Sequence, residues 1–363
     1  MAPSSRTIDY DALLTSTLDA YRDALTDNII ASNVLLSAIK SEGGWQKQDG
    51  GERIRIPLMY GKTPVKSYSG YDTLDVTPVD GMTTAFYTWR QLATPIAISR
   101  MEERQNSGEA ALFNLLKAKI QQAELSISEE VNLQLLGKTV SGGAFIAGNG
   151  SKDLDPLALH IPKDPTSAVS IGNISQSTYS WWRPRSVDGT TDGSTSKDAG
   201  ADSGFDLNTW AELFEAISHL YNRCSRGPGG RPNMVLTDQR GFEMFESGLR
   251  DKTRYMQQSK ATLAFDNILF KPGVPLYWDE FMPDVGTGVA YDSSSYALST
   301  YMMLNTKYLY FMVDSQTDFI NTPFTKPENQ DAKVSHILLY GNLCCSQRRK
   351  QGLLYGVNQA IVA

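Results

Sequence analysis

Residues 105–137 read QNSGEAALFNLLKAKIQQAELSISEEVNLQLLG. Leu112, Leu116, Ile120, Ala123, Ile127, Val131 and Leu135 recur there at steps of four and three, which places them on one stripe of an α-helix. Asn106 can cap the N-terminus, Glu109 holds the reciprocal position of a capping box, and Gly137 can close the C-terminus. At about 1.5 Å per residue the segment is roughly 50 Å long. One uninterrupted helix of that length, directly after a long polar β-type arm, marks a building block that touches many copies of itself.

The preceding residues supply that arm. Leu13, Leu14, Leu18, Tyr21, Leu25, Ile29 and Ile30, then Leu36 and Ile39, recur at helical spacing, so residues 8–41 read as a helix or two, stopped by Gly43-Gly44. From Trp45 the period changes. Asp49-Gly50-Gly51 is a turn signal, and Arg53, Ile54, Arg55 and Ile56 alternate as in a strand with one exposed face. A stretch rich in Tyr, Gly and Thr follows. Residues 83–91 then read as a second strand, with Ala85, Tyr87 and Trp89 on one face. A two-stranded excursion with so little core is marginal alone in water. It makes sense lying on a neighbouring molecule.

Beyond the helix, residues 138–204 read as loop, rich in Gly, Ser, Asp and Pro, and loosest from Asp188 to Gly204. A mixed region follows. Leu207 to Arg223 is amphipathic, Met234-Val235-Leu236 is a short buried strand, and Asp238 can cap a helix running through Leu249. Strands are expected at 267–270, 274–278, 301–304, 308–313, 334–343 and 352–357. No internal repeat is present.

Composition narrows the class. The chain has 363 residues, 41% hydrophobic and 20% charged, which is globular and large enough for a sizeable core. A formal net charge of −6 argues against a protein that grips nucleic acid along a basic groove, though not against a surface that encloses it. No apolar run approaches the ~20 residues of a bilayer span, so no membrane partner is expected. Met1 to Tyr10 lacks the basic and apolar regions of a signal peptide, which leaves the chain in the cytoplasm where it is made. Cys224, Cys344 and Cys345 read as small buried residues of a reducing compartment, because a vicinal pair rarely closes a structural disulfide and no CxxC offers zinc spacing.

The chemical motifs are weak. Gly61-Lys62-Thr63 and Gly137-Lys138-Thr139 lack the glycine five residues earlier that a P-loop needs; Ile56 and Asn132 stand there. His160, His219 and His336 show no metal spacing. Asp188, Asp192, Asp198 and Asp202 lack the order of a calcium loop. No catalytic, cofactor-binding or metal-binding residue is therefore expected. Trp181-Trp182-Arg183-Pro184 is the least ordinary string, and two loop tryptophans bury against their own domain or a neighbouring subunit. Arg348-Arg349-Lys350 reads as an exposed run or an interface salt-bridge donor, as does the cluster Arg250, Lys252 and Arg254. No aromatic interleaving makes either a nucleic-acid track.

Taken in order, several strings resemble the major capsid proteins of tailed bacteriophages, with the HK97-type α+β fold. They are Tyr21-Arg22 with Asp27-Asn28-Ile29, Asp49-Gly50-Gly51-Glu52, Pro57-Leu58, Trp89-Arg90-Gln91, Pro95-Ile96, Trp181-Trp182-Arg183, Leu304-Asn305-Thr306-Lys307-Tyr308-Leu309, Pro323-Phe324, Pro327-Glu328-Asn329-Gln330-Asp331-Ala332, Gly341-Asn342-Leu343 and Arg348-Arg349. The resemblance implies an N-terminal arm at 1–43 and an extended loop at 44–98. It implies a peripheral domain at 99–204 with spine helix 105–137 and a loop-like insertion, an axial domain at 205–320, and a return of 321–363 to the peripheral domain. It implies a structural protein, not an enzyme, that needs no cofactor and self-assembles through hexamers and pentamers into an icosahedral virion shell in the host cytoplasm. That shell encloses double-stranded DNA without sequence-specific binding. With no long charged N-terminal segment, a separate scaffolding protein is implied, together with a portal. Tyr60, Tyr68, Tyr71, Trp89, Trp181, Trp182, Arg348 and Arg349 are the expected subunit-interface residues. A cellular cargo compartment of the encapsulin kind is the alternative on the same fold, and a hydrolase with an unrecognised site is the rival from another class.

Overall fold

A computed structural model describes residues 33–63, 65–73, 80–105, 109–137, 152–189, 207, 209–253, 268–279, 281–282 and 298–358. The chain forms two compact units. One comprises the segments up to Gly50, Trp89–Leu157 and Phe311–Leu343; the other comprises Gly51–Thr88, Ala158–Tyr310 and the segment from Cys344.

The first unit is built on the long helix. Helix α1 (Val34–Ser41) starts at Asn33, whose side chain accepts from the Leu36 amide at 3.0 Å. Of the helix or two expected at 8–41, the structure describes the stretch that starts at Asn33; the earlier residues lie outside the described ones. Ser99 opens α2 (Arg100–Gln105) with a capping box, in which Glu102 N donates to Ser99 Oγ and Ser99 N to the Glu102 carboxylate. Helix α3 (Glu109–Asn132) runs into a π-helical turn ending at Gly137. The Asn106 cap lies outside the described residues. From Ile120 on the stripe is as expected: Ile120, Ala123, Ile127, Val131 and Leu135 are buried. Leu136 is buried too, because the wider π turn brings the next residue round to the same face.

A five-stranded sheet completes this unit. Strands β1 (Trp45–Gln48), β12 (Leu309–Asp314), β14 (Ala332–Cys345) and β13 (Ile320–Asn321) follow in that order, and β4 (Arg90–Ser99) also pairs with β14. β1 is parallel to β12, from Trp45↔Phe311 to Gln48↔Asp314, with the Trp45 and Phe311 rings stacked at 4.8 Å. β4 runs antiparallel to β14 from Ser99↔Ala332 to Arg90↔Gly341. The two ends of the expected 44–98 excursion are therefore sheet strands, and the excursion proper is 54–87.

The second unit holds a six-stranded mixed sheet, β7-β15-β11-β8-β10-β9. The strands are β7 (Arg185–Asp188), β8 (Met234–Thr237), β9 (Ile268–Lys271), β10 (Val274–Trp278), β11 (Leu298–Leu304) and β15 (Gly352–Asn358). Helices α5 (Trp210–Ser225) and α6 (Gln239–Thr253) pack on it. Thr209, not Leu207, opens α5, through a capping box with Glu212. Asp238 caps α6 as expected, accepting from the Gly241 amide at 3.2 Å. Leu213, Ile217, Leu220 and Cys224 line up at helical spacing and bury against Phe245, Phe270, Tyr301 and Leu354.

Two expectations need correction. Residues 152–189 are not loose: they form α4 (Leu157–His160), the ribbon β5 (Ser170–Ile171) and β6 (Ile174–Ser175), and β7, with Leu157, Ile161, Ile171 and Trp182 buried. Gly172 and Asn173 both hold positive φ, which is the two-residue turn that hairpin twist favours. Composition misleads here because a segment of short elements carries many turn residues. Residues 321–363 likewise divide. β14 joins the sheet of the spine-helix unit, whereas β15 pairs with β11 and β7 in the other sheet, where its Leu354 and Val357 join the core that holds Leu213 and Leu220.

Candidate functional site

No chemistry-bearing cluster stands out. Among the described residues no three His, Cys, Asp or Glu side chains converge on a metal-sized space, and no helix is long and apolar enough to cross a membrane. What does stand out is uncovered apolar surface on the hairpin of β2 (Ile54–Met59) and β3 (Met82–Tyr87).

The hairpin is built by strict alternation. Ile54, Ile56 and Leu58 point inward, while Arg55, Pro57 and Met59 are exposed. β3 pairs antiparallel from Ile54↔Tyr87 to Met59↔Met82. Beyond the last pair the strands pinch at Gly61 and Gly81, whose backbones approach so closely that a Cβ on Gly61 would collide with Gly81. The Tyr60 and Gly61 amides both donate to the Gly81 carbonyl, at 2.9 and 3.1 Å. Past this neck lie Val65, 94% exposed, Tyr68 and Tyr71, with Met59 and Met82 uncovered at its base.

The root of the hairpin is fixed. The Phe86 amide donates to the Gly172 carbonyl at 3.0 Å, and a Cβ at Gly172 would meet Ala85 and Tyr87. The Tyr87 hydroxyl donates to the Cys345 carbonyl at 2.8 Å. Beneath lies Arg348, fully buried, with Nε donating to His160 O at 2.8 Å, Nη2 to Gln176 Oε1 at 3.0 Å and Nη1 to Trp182 O at 3.4 Å. Burial holds the Arg348 guanidinium down at about 10 and pushes the Cys345 thiol up to about 12. Tyr87 is also pushed well above its ordinary value, first by burial and then by the two cysteines. These groups cement the base; buried this deeply, they present nothing to a ligand.

The expected interface residues separate accordingly. Tyr68 and Tyr71 are exposed on the tip, and Tyr60, 38% exposed, stacks on the half-buried Trp181 at 4.7 Å. Arg349 is exposed. Three others are corrected. Trp89 is buried, stacked on Tyr340 at 4.9 Å, because the chain leaves the hairpin at Thr88. Trp182 is buried with Nε1 donating to Ile171 O at 2.9 Å. Arg348 is internal because a 3₁₀ turn over Arg348–Lys350 directs alternate residues of the basic run inward. Met59, Val65 and Met82 are exposed on the hairpin as well, beyond the residues expected there. The signal for Met59 was present, since a methionine on the polar phase of an alternating strand has no core to enter.

No protein-family model matches this chain, and no curated protein matches it in sequence. Solved structures do match in three dimensions. The capsid asymmetric unit of cyanophage A-1(L) aligns with a TM-score of 0.55 at 12% identity, covering 86% of this chain and 90% of that one. The capsid of an empty GTA particle aligns at 0.51 and 13% identity, covering 90% of each. The holo-SrpI encapsulin of Synechococcus elongatus PCC 7942 aligns at 0.48 and 11% identity, over 88% of this chain and 86% of that one. A long helix, an exposed hairpin and two sheets, one completed by β14 and the other by β15, together with those first two alignments over most of the chain, identify the fold as that of phage capsid subunits, the HK97-type fold.

Proposed function

We propose that this chain is a major capsid protein that self-assembles through hexamers and pentamers into the icosahedral head of a tailed phage. The shell encloses double-stranded DNA, and assembly takes place in the host cytoplasm with a separate scaffolding protein and a portal. Residues 54–87, the inner part of 44–98, act as the extended loop, 105–137 as the spine of a peripheral domain, and the six-stranded-sheet part of 205–320, up to Tyr308, as an axial domain. The work of the protein is association, not catalysis.

The observation that carries this reading is the uncovered tip. Met59, Val65, Tyr68, Tyr71 and Met82 project from a hairpin whose inner face is already satisfied. At about 25 cal/mol per Å², a neighbouring subunit that covers each of them gains on the order of 1–2 kcal/mol per side chain. One such contact is weak and reversible, which lets misplaced subunits leave; a closed shell sums many of them. Electron microscopy of the overexpressed protein tests the reading. Closed shells, or irregular shells and tubes where scaffolding is lacking, are the expected result. A protein that stays monomeric at every concentration and with its scaffolding partner supplied would overturn it.

A further inference from the structure

Positive charge gathers at one turn of the second unit. Residues 225–231, Ser-Arg-Gly-Pro-Gly-Gly-Arg, follow the C-terminus of α5. Gly227, Gly229 and Gly230 hold φ of 85°, 111° and 85°, a region that L side chains rarely enter. The ammonium of the buried Lys350 donates to the carbonyl oxygens of Arg226, Gly227 and Gly230, each at 3.1 Å. Gly229 packs so closely on Tyr308, Gln347 and Lys350 that a Cβ there would collide. The lysine thus takes up the carbonyls of the turn. The amides of Gly227, Gly229 and Gly230 donate no hydrogen bond among the described residues. Peptide N–H groups collected in such a turn make a concavity receptive to anions.

Cations surround this concavity. Arg226 and Arg231 flank it, both exposed and neither in an ion pair among the described residues. Lys307 is exposed beside Tyr308, and Arg349 is exposed beside Lys350. Lys271 lies over the Tyr221 ring at 4.0 Å. Its ammonium is held below its ordinary value by burial and then by the charge of Arg231; Lys350 is held down by burial and then by Arg349. Together these side chains make a locally positive surface on a chain of formal net charge −6. The guanidinium fork suits phosphate in particular. A lone small anion is satisfied by the turn and one arginine, whereas cations spread around the turn suit a run of phosphates.

We propose that the turn at 226–231 and the cations around it are a contact for the phosphodiester backbone of double-stranded DNA, made without reading base sequence. The proposal rests on the capsid reading, which supplies the DNA.

Fluorescence anisotropy of the purified protein with a short labelled duplex, titrated over salt, tests it. Each phosphate contact contributes about 0.9 to the slope of log affinity against log salt. Arg226→Ala with Arg231→Ala should therefore reduce that slope by about 2 and weaken binding equally for duplexes of different sequence. Arg100→Ala with Lys326→Ala removes the same charge from a cleft of about 360 Å³ in the other unit and should leave the slope unchanged. Inorganic phosphate at matched ionic strength should displace the duplex only slightly. Equal slopes for the Arg226/Arg231 variant and the wild type would overturn the proposal, as would full displacement by inorganic phosphate, which would mark a site for the free ion. Electron microscopy of the same preparations keeps the two readings apart. Wild-type shells with an unmoved slope reject only the DNA contact, whereas absence of shells with a reduced slope rejects only the capsid function.

Discussion

Two residues show how finely this chain is fitted. Gly248 of α6 lies against the indole of Trp210 on α5, and an added Cβ would overlap the ring. Gly248→Ala should therefore destabilise the protein by about 1–3 kcal/mol through overpacking, in spite of alanine's better helix propensity, measured as a lower denaturation midpoint with unchanged slope. Cys345 gives a pH signature. Its thiol ionises from about 9 when unfolded but only near 12 when buried, so between those values the folded state holds the extra proton. The contribution of Cys345 to stability then falls as pH rises from 9, at a limiting slope of about 1.4 kcal/mol per pH unit, and above about 10 the lowered Arg348 guanidinium works in the opposite direction. Tyr87 and Tyr301, both raised above 10, add their share only at the upper end. Cys345→Ala should flatten the curve between pH 9 and 10, as read by urea melts; an unchanged curve would assign the loss to other groups. At this scale the sequence was least legible. Trp181 and Trp182 look alike on paper, yet one stacks on Tyr60 and the other is sealed inside. Arg348 and Lys350 read as a solvated run, and only the 3₁₀ turn that rotates them inward reveals their carbonyl partners.

Among the elements, periodicity carried most of the information. β2 and the stripe from Ile120 to Leu135 lie where alternation and helical spacing put them, because burial on one face is what both patterns encode. Boundaries were less legible. The Ser99–Glu102 capping box is a short signal that the longer helical period beside it outweighs, and the exit from hairpin to sheet at Thr88 has no local marker. Ile120→Pro tests the spine helix. Proline costs about 3 kcal/mol or more in a helix interior, and loss of the buried isoleucine adds roughly 2–5, together close to the ~5–15 kcal/mol that holds a typical domain. Gln122 is exposed on the other face, so Gln122→Ala should be tolerated. Soluble yield and circular dichroism of the two variants decide; a soluble Ile120→Pro protein with native helicity would break the helix as a single element.

For the whole molecule, fold class was legible from the order of weak strings along the chain, while strand partners were not, since they join residues hundreds of positions apart. The hairpin is where molecule-level behaviour is most directly testable. Gly61 and Gly81 already meet, so replacing residues 62–80 with an Asn-Gly turn closes the hairpin at its own neck. The trimmed protein should keep its circular dichroism and remain a soluble subunit but form no regular shells in the electron microscope. Normal shells from it would place the main contacts elsewhere.

The strand order has a consequence in time. β14 pairs with β4, β12 and β13, and β15 lies between β7 and β11, so residues 332–358 complete both sheets. A ribosome adding roughly 5–20 residues per second releases the spine helix and the hairpin well before either sheet can close, and pairing at such sequence distance is slow. A nascent chain therefore holds its hairpin without a rigid base to aim it. On the proposed capsid function, competence to join a neighbour arrives only when synthesis has passed residue 358, which would keep polysome-bound chains from nucleating particles around unfinished copies.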